Sequence, residues 1–382
     1  MPELPQVHLR DSPNTPVHQW ERLAVGTMMI GRRRFVNMVA ENLKSGVCSV
    51  HRLNVSEHLF YPSTAEAEAA KSAAVPRLEA LPPPATTFRS APHPRWKGQP
   101  FALRTALYDV ESSSNYEMPY LSYKGYDPIT ISIARPDAPE EELYVLSSGP
   151  TAASSGFEAL TFGRPSNSKV NLFPSHPPEE MWKLESLPRP PLPEASLVCS
   201  HAVLHDGRTI CVTAAPYGAA GTYLFDTVKH EWTQAPDGWD LPFFGGAEYV
   251  PDLKLWLGLA ATGDDGHHHL CASDLSAPVE EGKPPTLKHQ WQVVEMPEEW
   301  QATMVSLINL GEGRFCIFKL IHDHIPGTDR YDAEFSYQGN LRWCLALLTG
   351  VEINSSPEHG LRVVPHKSLS YVFTKDTFKC VL

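Results

Sequence analysis

The side chains best able to do chemistry in this 382-residue chain are its histidines. His267-His268-His269 stands beside Asp264, Asp265 and Cys271, and His322-Asp323-His324 follows an apolar run. A transition metal needs two or more such ligands converging from fixed positions. In extended backbone alternate residues share a face, so His322 and His324 converge only if the preceding strand continues through them. The triple histidine lies in a turn rich in Gly and Asp, where a solvated loop is the usual outcome. The expectation is therefore no metal at either cluster, with both kept as the places where one could sit.

Other reactive signatures are missing. There is no GxSxG nucleophile elbow, no HExxH and no phosphate-binding P-loop. Gly311-x-Gly313 lacks a third glycine, Cys316 standing in its place, and it reads as a hairpin turn rather than a nucleotide loop. Pro188-Arg-Pro-Pro-Leu-Pro193 has the spacing of a polyproline ligand, but it falls where a repeat ends and reads as a connector. Trp232, Trp256 and Trp291 recur once per repeat, which points to packing rather than to ligand stacking. No residue is assigned a catalytic, cofactor-binding or metal-binding role, and no cofactor is expected.

The elements that would position these side chains are short strands. The stretch from Ser200 to Pro236 holds an apolar run, the turn His205-Asp206-Gly207-Arg208, a second run from Thr209, the strand Gly221–Asp226 and a short strand opened by Trp232. Asp-Gly between two β-prone runs is a strong hairpin signal, because both central turn positions favour φ > 0. A four-stranded meander ending in Trp is the unit of a β-propeller blade. Similar turns recur near Asp252 and Glu312. Strands such as Trp343–Leu348 are apolar on both faces, as expected when a sheet is covered on both sides. The fold class expected is all-β: a kelch-like β-propeller of about six four-stranded blades, with seven the alternative count.

Along the chain, residues 1–25 read as a polar, Pro-rich tail and 26–382 as one propeller domain. Strands are expected at Arg34–Glu41 and Val47–Leu53, with Leu59–Tyr61 as a third. Residues 62–100 read as an insertion. It contains a short helix from Ala65 to Ala74, capped by Ser63 and Glu66, and then a stiff loop from Leu81 to Trp96. Further along, Trp291–Met296 is expected to close one blade. Leu361–Val364 and Ser368–Thr374 are expected as a final pair of strands.

Composition narrows the function classes. A net charge of −12 argues against nucleic acid or an anionic membrane as partner, since both call for a basic face. Arg32-Arg33-Arg34 reads as a strand edge rather than a nuclear signal. Seven cysteines, an odd number with no CxxC, read as buried thiols in a reducing compartment. The N-terminus lacks a signal-peptide layout, and no apolar run approaches the ~18 residues that span a bilayer. The location expected is cytoplasmic, with the nucleus as the alternative.

Gly221-Thr-Tyr-x-Phe-Asp-Thr-x-x-x-x-Trp232, Leu241-Pro-Phe and Ala247-Glu-Tyr-Val-Pro251 together resemble a grass-expanded plant family, the domain of unknown function DUF1618. Arg33–Asn37, Leu310–Cys316 and His366–Lys375 look like further signatures of it. The resemblance implies a kelch-like, F-box-associated type of propeller and offers no catalytic residues. No F-box helices are seen at the N-terminus, so a ubiquitin-ligase adaptor role does not follow. The function expected is a non-enzymatic scaffold, a monomer that recognises a protein partner through its loop faces. The alternative is a propeller enzyme, a metal-dependent oxidoreductase or hydrolase, with its site at the channel mouth.

Overall fold

The computed structural model describes residues 33–381 except 43, 71–76, 90–104, 110–113, 120, 123–127, 136–140, 150–155, 164–180, 194–195, 205–206, 216–220, 237–238, 261–267, 277–282, 294–295, 297–299, 301, 323–343, 357–359 and 374–375. The expected tail at 1–25, His267, and Asp323 with His324 therefore lie outside the described residues.

The described chain is almost entirely β. It opens with β1 (Phe35–Asn42) and β2 (Val47–Asn54), an antiparallel hairpin. Asn42 makes its turn: the side-chain oxygen accepts from the amides of Lys44 and Ser45, and Gly46 supplies a positive φ of 64°. The one-turn helix α1 (Val55–His58) follows, so Leu59–Tyr61, expected as a strand, is instead non-strand chain leaving that helix. Helix α2 (Thr64–Ala69) is shorter than expected. Its N-cap is the one read from sequence, Ser63 Oγ accepting from the Glu66 amide at 3.3 Å. Then come β3 (Arg77–Glu79) and β4 (Pro84–Arg89). The latter corrects the stiff-loop expectation. Pro84 is tolerated because it is the first residue of a strand at a sheet edge, where its missing N–H leaves no ladder bond unmade.

The rest is strand after strand: β5 (Thr105–Asp109), β6 (Ser114–Met118), β7 (Ile129–Ile133), β8 (Glu142–Leu146), β9 (Phe157–Gly163) and β10 (Met181–Leu187). Next are β11 (Leu197–Val203), β12 (Thr209–Ala215), β13 (Gly221–Asp226), β14 (Glu231–Gln234), β15 (Phe243–Val250) and β16 (Leu255–Ala260). The series ends with β17 (Leu270–Ser273), β18 (Leu287–Trp291), β19 (Ala302–Gly311), β20 (Arg314–His322), β21 (Cys344–Ser356), β22 (Gly360–Phe373) and β23 (Asp376–Val381). Trp291 closes its strand rather than opening one. The two runs expected as a final pair, Leu361–Val364 and Ser368–Thr374, fall in the single strand β22.

Pairing organises these strands into meanders. β7 to β10 form one four-stranded sheet, and β19 to β22 form another with β3 added in parallel at its edge. The meanders β11–β14 and β15–β18 are joined into one sheet of eight because their first strands, β11 and β15, pair in parallel. β5 and β6 form a separate hairpin. The last strand, β23, pairs with β1, so the sheet β23-β1-β2-β4 unites the two ends of the described chain. Each large core is shared by consecutive sheets. β7–β9 pack on β11–β13, β11–β12 on β15–β17, β15–β17 on β19–β21, and β19–β22 on the closing sheet. Sheets stacked face to face in sequence order, with the final strand completing the first sheet, make a β-propeller-like fold. The residues of β21 show the double burial this needs: Ala346 and Leu348 face one core, Leu345 and Leu347 another.

Successive connectors of an antiparallel meander alternate between its two ends. The connectors from first to second strand (204–208, 251–254 and 312–313) therefore share one end, here termed the tight end. The connectors from second to third strand, including 261–269 and 323–343, share the opposite end. Adjacent sheets keep this sense. Arg135, just past β7, donates from Nη1 to the Gly207 carbonyl in the β11–β12 turn, and Val198 at the start of β11 donates to the Ser148 carbonyl beyond β8.

Candidate functional site

The first strands β11, β15 and β19 lie side by side and bring polar residues together near the tight end. Ser200, His201 and Ala202 pair in parallel with Gly245, Gly246 and Ala247. A Cβ placed on Gly245, whose φ is +73°, would lie 3.7 Å from the Val305 carbonyl of β19, so the two strands approach closely there. The His201 ring lies over Gly246: Nε2 would stand 3.0 Å from a Cβ at that position, so only glycine leaves the ring its full space. Among the described residues the His201 ring has no hydrogen-bond partner, and loss of solvent pulls its imidazole down to about 4, leaving it neutral.

Glu248, two residues beyond Gly246, is the carboxylate of this wall. Loss of solvent is the dominant influence and pushes it up to about 7, while hydrogen bonds from the Asn309 side chain and amide and the nearby Arg33 charge oppose the rise. Asn309 is oriented for this role, because its side-chain oxygen accepts from the Gly311 amide at 2.9 Å and leaves the NH2 group to donate. Arg33 arrives from the segment before β1, its amide donating to the Leu310 carbonyl at 2.7 Å and its Nε to the Phe35 carbonyl. The chemistry available is a carboxyl that changes charge near neutrality and, on the adjacent strand, an unengaged neutral imidazole. Glu248 lies in the Ala247–Pro251 segment singled out for its resemblance, but neither it nor His201 stands in a catalytic signature. The signal that could have found Glu248 is a lone acidic residue inside an otherwise apolar first strand.

Of the two histidine clusters, His268, His269 and His322 lie among the described residues. His268 stacks on Phe244 with ring centroids 4.4 Å apart, and its Nδ1 meets the Ala260 carbonyl at 2.8 Å. The His269 carbonyl accepts from the Ala260 amide, which starts β17. His322 ends β20, its backbone paired with Cys344. Among the described residues no three His, Cys, Asp or Glu side chains group as metal ligands.

The other singled-out residues hold sheets together. Gly311-Glu312-Gly313 is a hairpin turn with all three residues at positive φ, and a Cβ at Gly313 would strike the Ile353 carbonyl at 2.7 Å. Trp232 is half-buried rather than enclosed. It lies between Phe225 and Phe157, with Nε1 donating to the Pro188 carbonyl at 2.8 Å, so the Pro-rich run is a connector. Trp256 is fully buried and donates to the Val203 carbonyl of the preceding meander at 2.8 Å. Arg135, which no motif marks, bridges two sheets. It meets Glu142 at 2.9 Å, the Gly207 carbonyl at 2.9 Å and Thr227 Oγ1 at 2.7 Å.

Four-stranded meanders stacked in chain order, with polar residues on the first strands, define a β-propeller-like protein. The chain belongs to the family described as protein of unknown function DUF1668, whose model matches residues 33–371. This corrects the DUF1618 resemblance. The segments that suggested it are blade parts: in Gly221–Trp232, Asp226 caps a turn by accepting from the Val228 and Lys229 amides, and Trp232 packs on the neighbouring sheet. Residues that any such blade needs do not separate one blade-built family from another. No curated protein matches the chain. Solved structures similar to it include a putative 6-phosphogluconolactonase from Bacteroides uniformis (12% identity, 92% of this chain and 99% of that one, TM-score 0.34). Others are a putative TolB from Agrobacterium tumefaciens (10%, 90% and 99%, 0.32) and the periplasmic gluconolactonase of Pseudomonas aeruginosa (12%, 71% and 80%, 0.31). Superpositions at that level fix neither blade number nor chemistry.

Proposed function

We propose that the protein is a non-enzymatic recognition scaffold: a kelch-like propeller of about six blades, with seven the alternative count, in a single domain, acting as a monomer that docks a protein partner. The observation that carries this reading is the contrast between short hairpins and long connectors on one framework. Tight hairpins at 204–208, 251–254 and 312–313 hold neighbouring strands, while longer connectors leave from both ends, 261–269 and 323–343 from one and 164–180 and 274–286 from the other. A rigid framework that carries long connectors lowers the entropy lost on docking. The polar groups point the same way, since Arg135 and His268 are engaged by the scaffold itself. The test replaces residues 323–343 with a short Gly-Ser linker and compares proteins captured from native tissue. The expected result is an unchanged melting temperature with loss of the captured partner; an unchanged capture profile overturns the reading.

His201 and Glu248 favour the second reading, an enzyme acting from the inner wall, because the ring of one has no hydrogen bond among the described residues and the other titrates near neutrality. An activity abolished by His201→Ala in a protein that remains folded would select it.

A further inference from the structure

β22 is not a regular strand where it passes Gly350. Thr349 pairs with Ser368 and Val351 with Pro365, so His366 and Lys367 together face Gly350 in a bulge. The bulge turns the Lys367 amide outward, where it donates to the Leu59 carbonyl at 2.9 Å. Gly350 makes room for that carbonyl, since a Cβ there would come within 2.6 Å of the Leu59 oxygen. The segment after α1 is thereby drawn onto the sheet, with Leu59 and Phe60 buried beneath it.

His366 completes the attachment. Its Nδ1 accepts from the Tyr61 amide at 3.1 Å, so that nitrogen carries a lone pair and the single ring proton sits on Nε2. Nε2 then donates to Glu352 Oε2 at 3.1 Å. The other oxygen of Glu352 accepts from Thr64 Oγ1 at 2.9 Å, at the head of α2, and from Asn354 at 3.0 Å. One imidazole and one carboxylate thus hold both halves of the segment, and the His366 side chain is completely enclosed.

We propose that residues 59–70 form a pH-sensitive strap, fastened to β21 and β22 by His366 in a fixed neutral tautomer and released when that ring takes up a second proton. A proton on Nδ1 would point at the Tyr61 N–H and replace an attraction with a repulsion between two donors. The charged groups facing the ring are Glu352 from β21, Arg314 from β20 with its Nε 4.0 Å from Glu352, and Lys367 from β22 itself. Glu352 favours the imidazolium. Burial is the larger influence, and with Arg314 and Lys367 it keeps the ring below the usual histidine range. Release uncovers Phe60, whose ring lies 4.9 Å from that of His366 and beneath the Arg314 guanidinium.

Amide hydrogen exchange of the full chain tests this, with rates corrected for intrinsic pH dependence and referred to amides of β20 and β21. As pH falls below about 6.5, the relative opening of residues 59–70 should rise, by up to about tenfold per pH unit for one linked proton. His366→Gln should lose that dependence. An unchanged ratio between pH 7.5 and 5.5, or the same slope in the variant, overturns the proposal. Should the variant fail to fold, imidazole 15N shifts of the wild type decide: Nε2–H at pH 7.5 supports the strap, and Nδ1–H refutes it.

Discussion

Trp256 is the residue whose removal should cost the fold most. It is 1% exposed, it lies between the meanders β11–β14 and β15–β18, and its ring sits 4.6 Å from that of Tyr249. Truncation to Ala loses the transfer energy of a buried indole and leaves a cavity, together about 3–5 kcal/mol. It also strips the Val203 carbonyl of its donor, adding about 1–3 kcal/mol if water cannot reach that oxygen. Trp256→Phe keeps part of the apolar packing but removes the N–H and the rest of the indole, so a smaller loss than for Ala, roughly 2–4 kcal/mol, is expected. Trp232→Ala should cost less than Trp256→Ala, because its ring is half-buried and water can take over the Pro188 carbonyl. The assay is equilibrium urea unfolding followed by far-UV circular dichroism, which does not depend on the indole removed. A loss below about 1 kcal/mol for Trp256→Ala, or a larger loss for Trp232→Ala, would refute the assignment of Trp256 as the principal inter-sheet anchor.

Gly350→Ala should destabilise the contact with Leu59 by about 1–3 kcal/mol through overpacking, seen as faster exchange of the Lys367 amide; unchanged exchange would contradict that packing. Glu248 titrates near 7 in the fold against 4.5 when exposed, so its contribution is full below about pH 4.5 and is lost as pH rises through 7. Glu248→Gln should therefore match the wild type near pH 4.5 and exceed it by on the order of 1–3 kcal/mol at pH 8; equal stability at both pH values would refute the raised carboxyl. His201 works in the opposite sense, its contribution being present above about 6.5 and lost as pH falls toward 4, which His201→Phe should flatten in a stability–pH profile. Of the seven free thiols, Cys199 and Cys380 are partly exposed, so brief labelling of the native protein should reach at most those two, while denaturant without reductant should expose all seven. Fewer than seven in denaturant would reveal a disulfide.

The local grammar of this protein is legible residue by residue. Glycines at positive φ, such as Gly46 and Gly313, mark hairpins because few side chains tolerate that backbone, and runs apolar on both faces announce sheets covered on both sides. Those signals are short-range and can be read from neighbouring residues. Strand partnership and protonation are non-local. Phe378 pairs with Ala40 across nearly the whole chain, and no local pattern in β23 names β1 as its partner. Pro84–Arg89 has β-prone residues in Thr86, Thr87 and Phe88, but the prolines before it hid the strand, and only the edge that β2 offers shows where it pairs. The inner-wall carboxyl and the His366 strap were illegible for the same reason. Glu248 acquires its shifted titration only when β19 and the Arg33 segment close around it, and His366 its fixed tautomer only when Tyr61 and Glu352 arrive from opposite ends of the chain. A side chain's type is written in the sequence, but its protonation follows from the solvent and partners that folding removes or supplies.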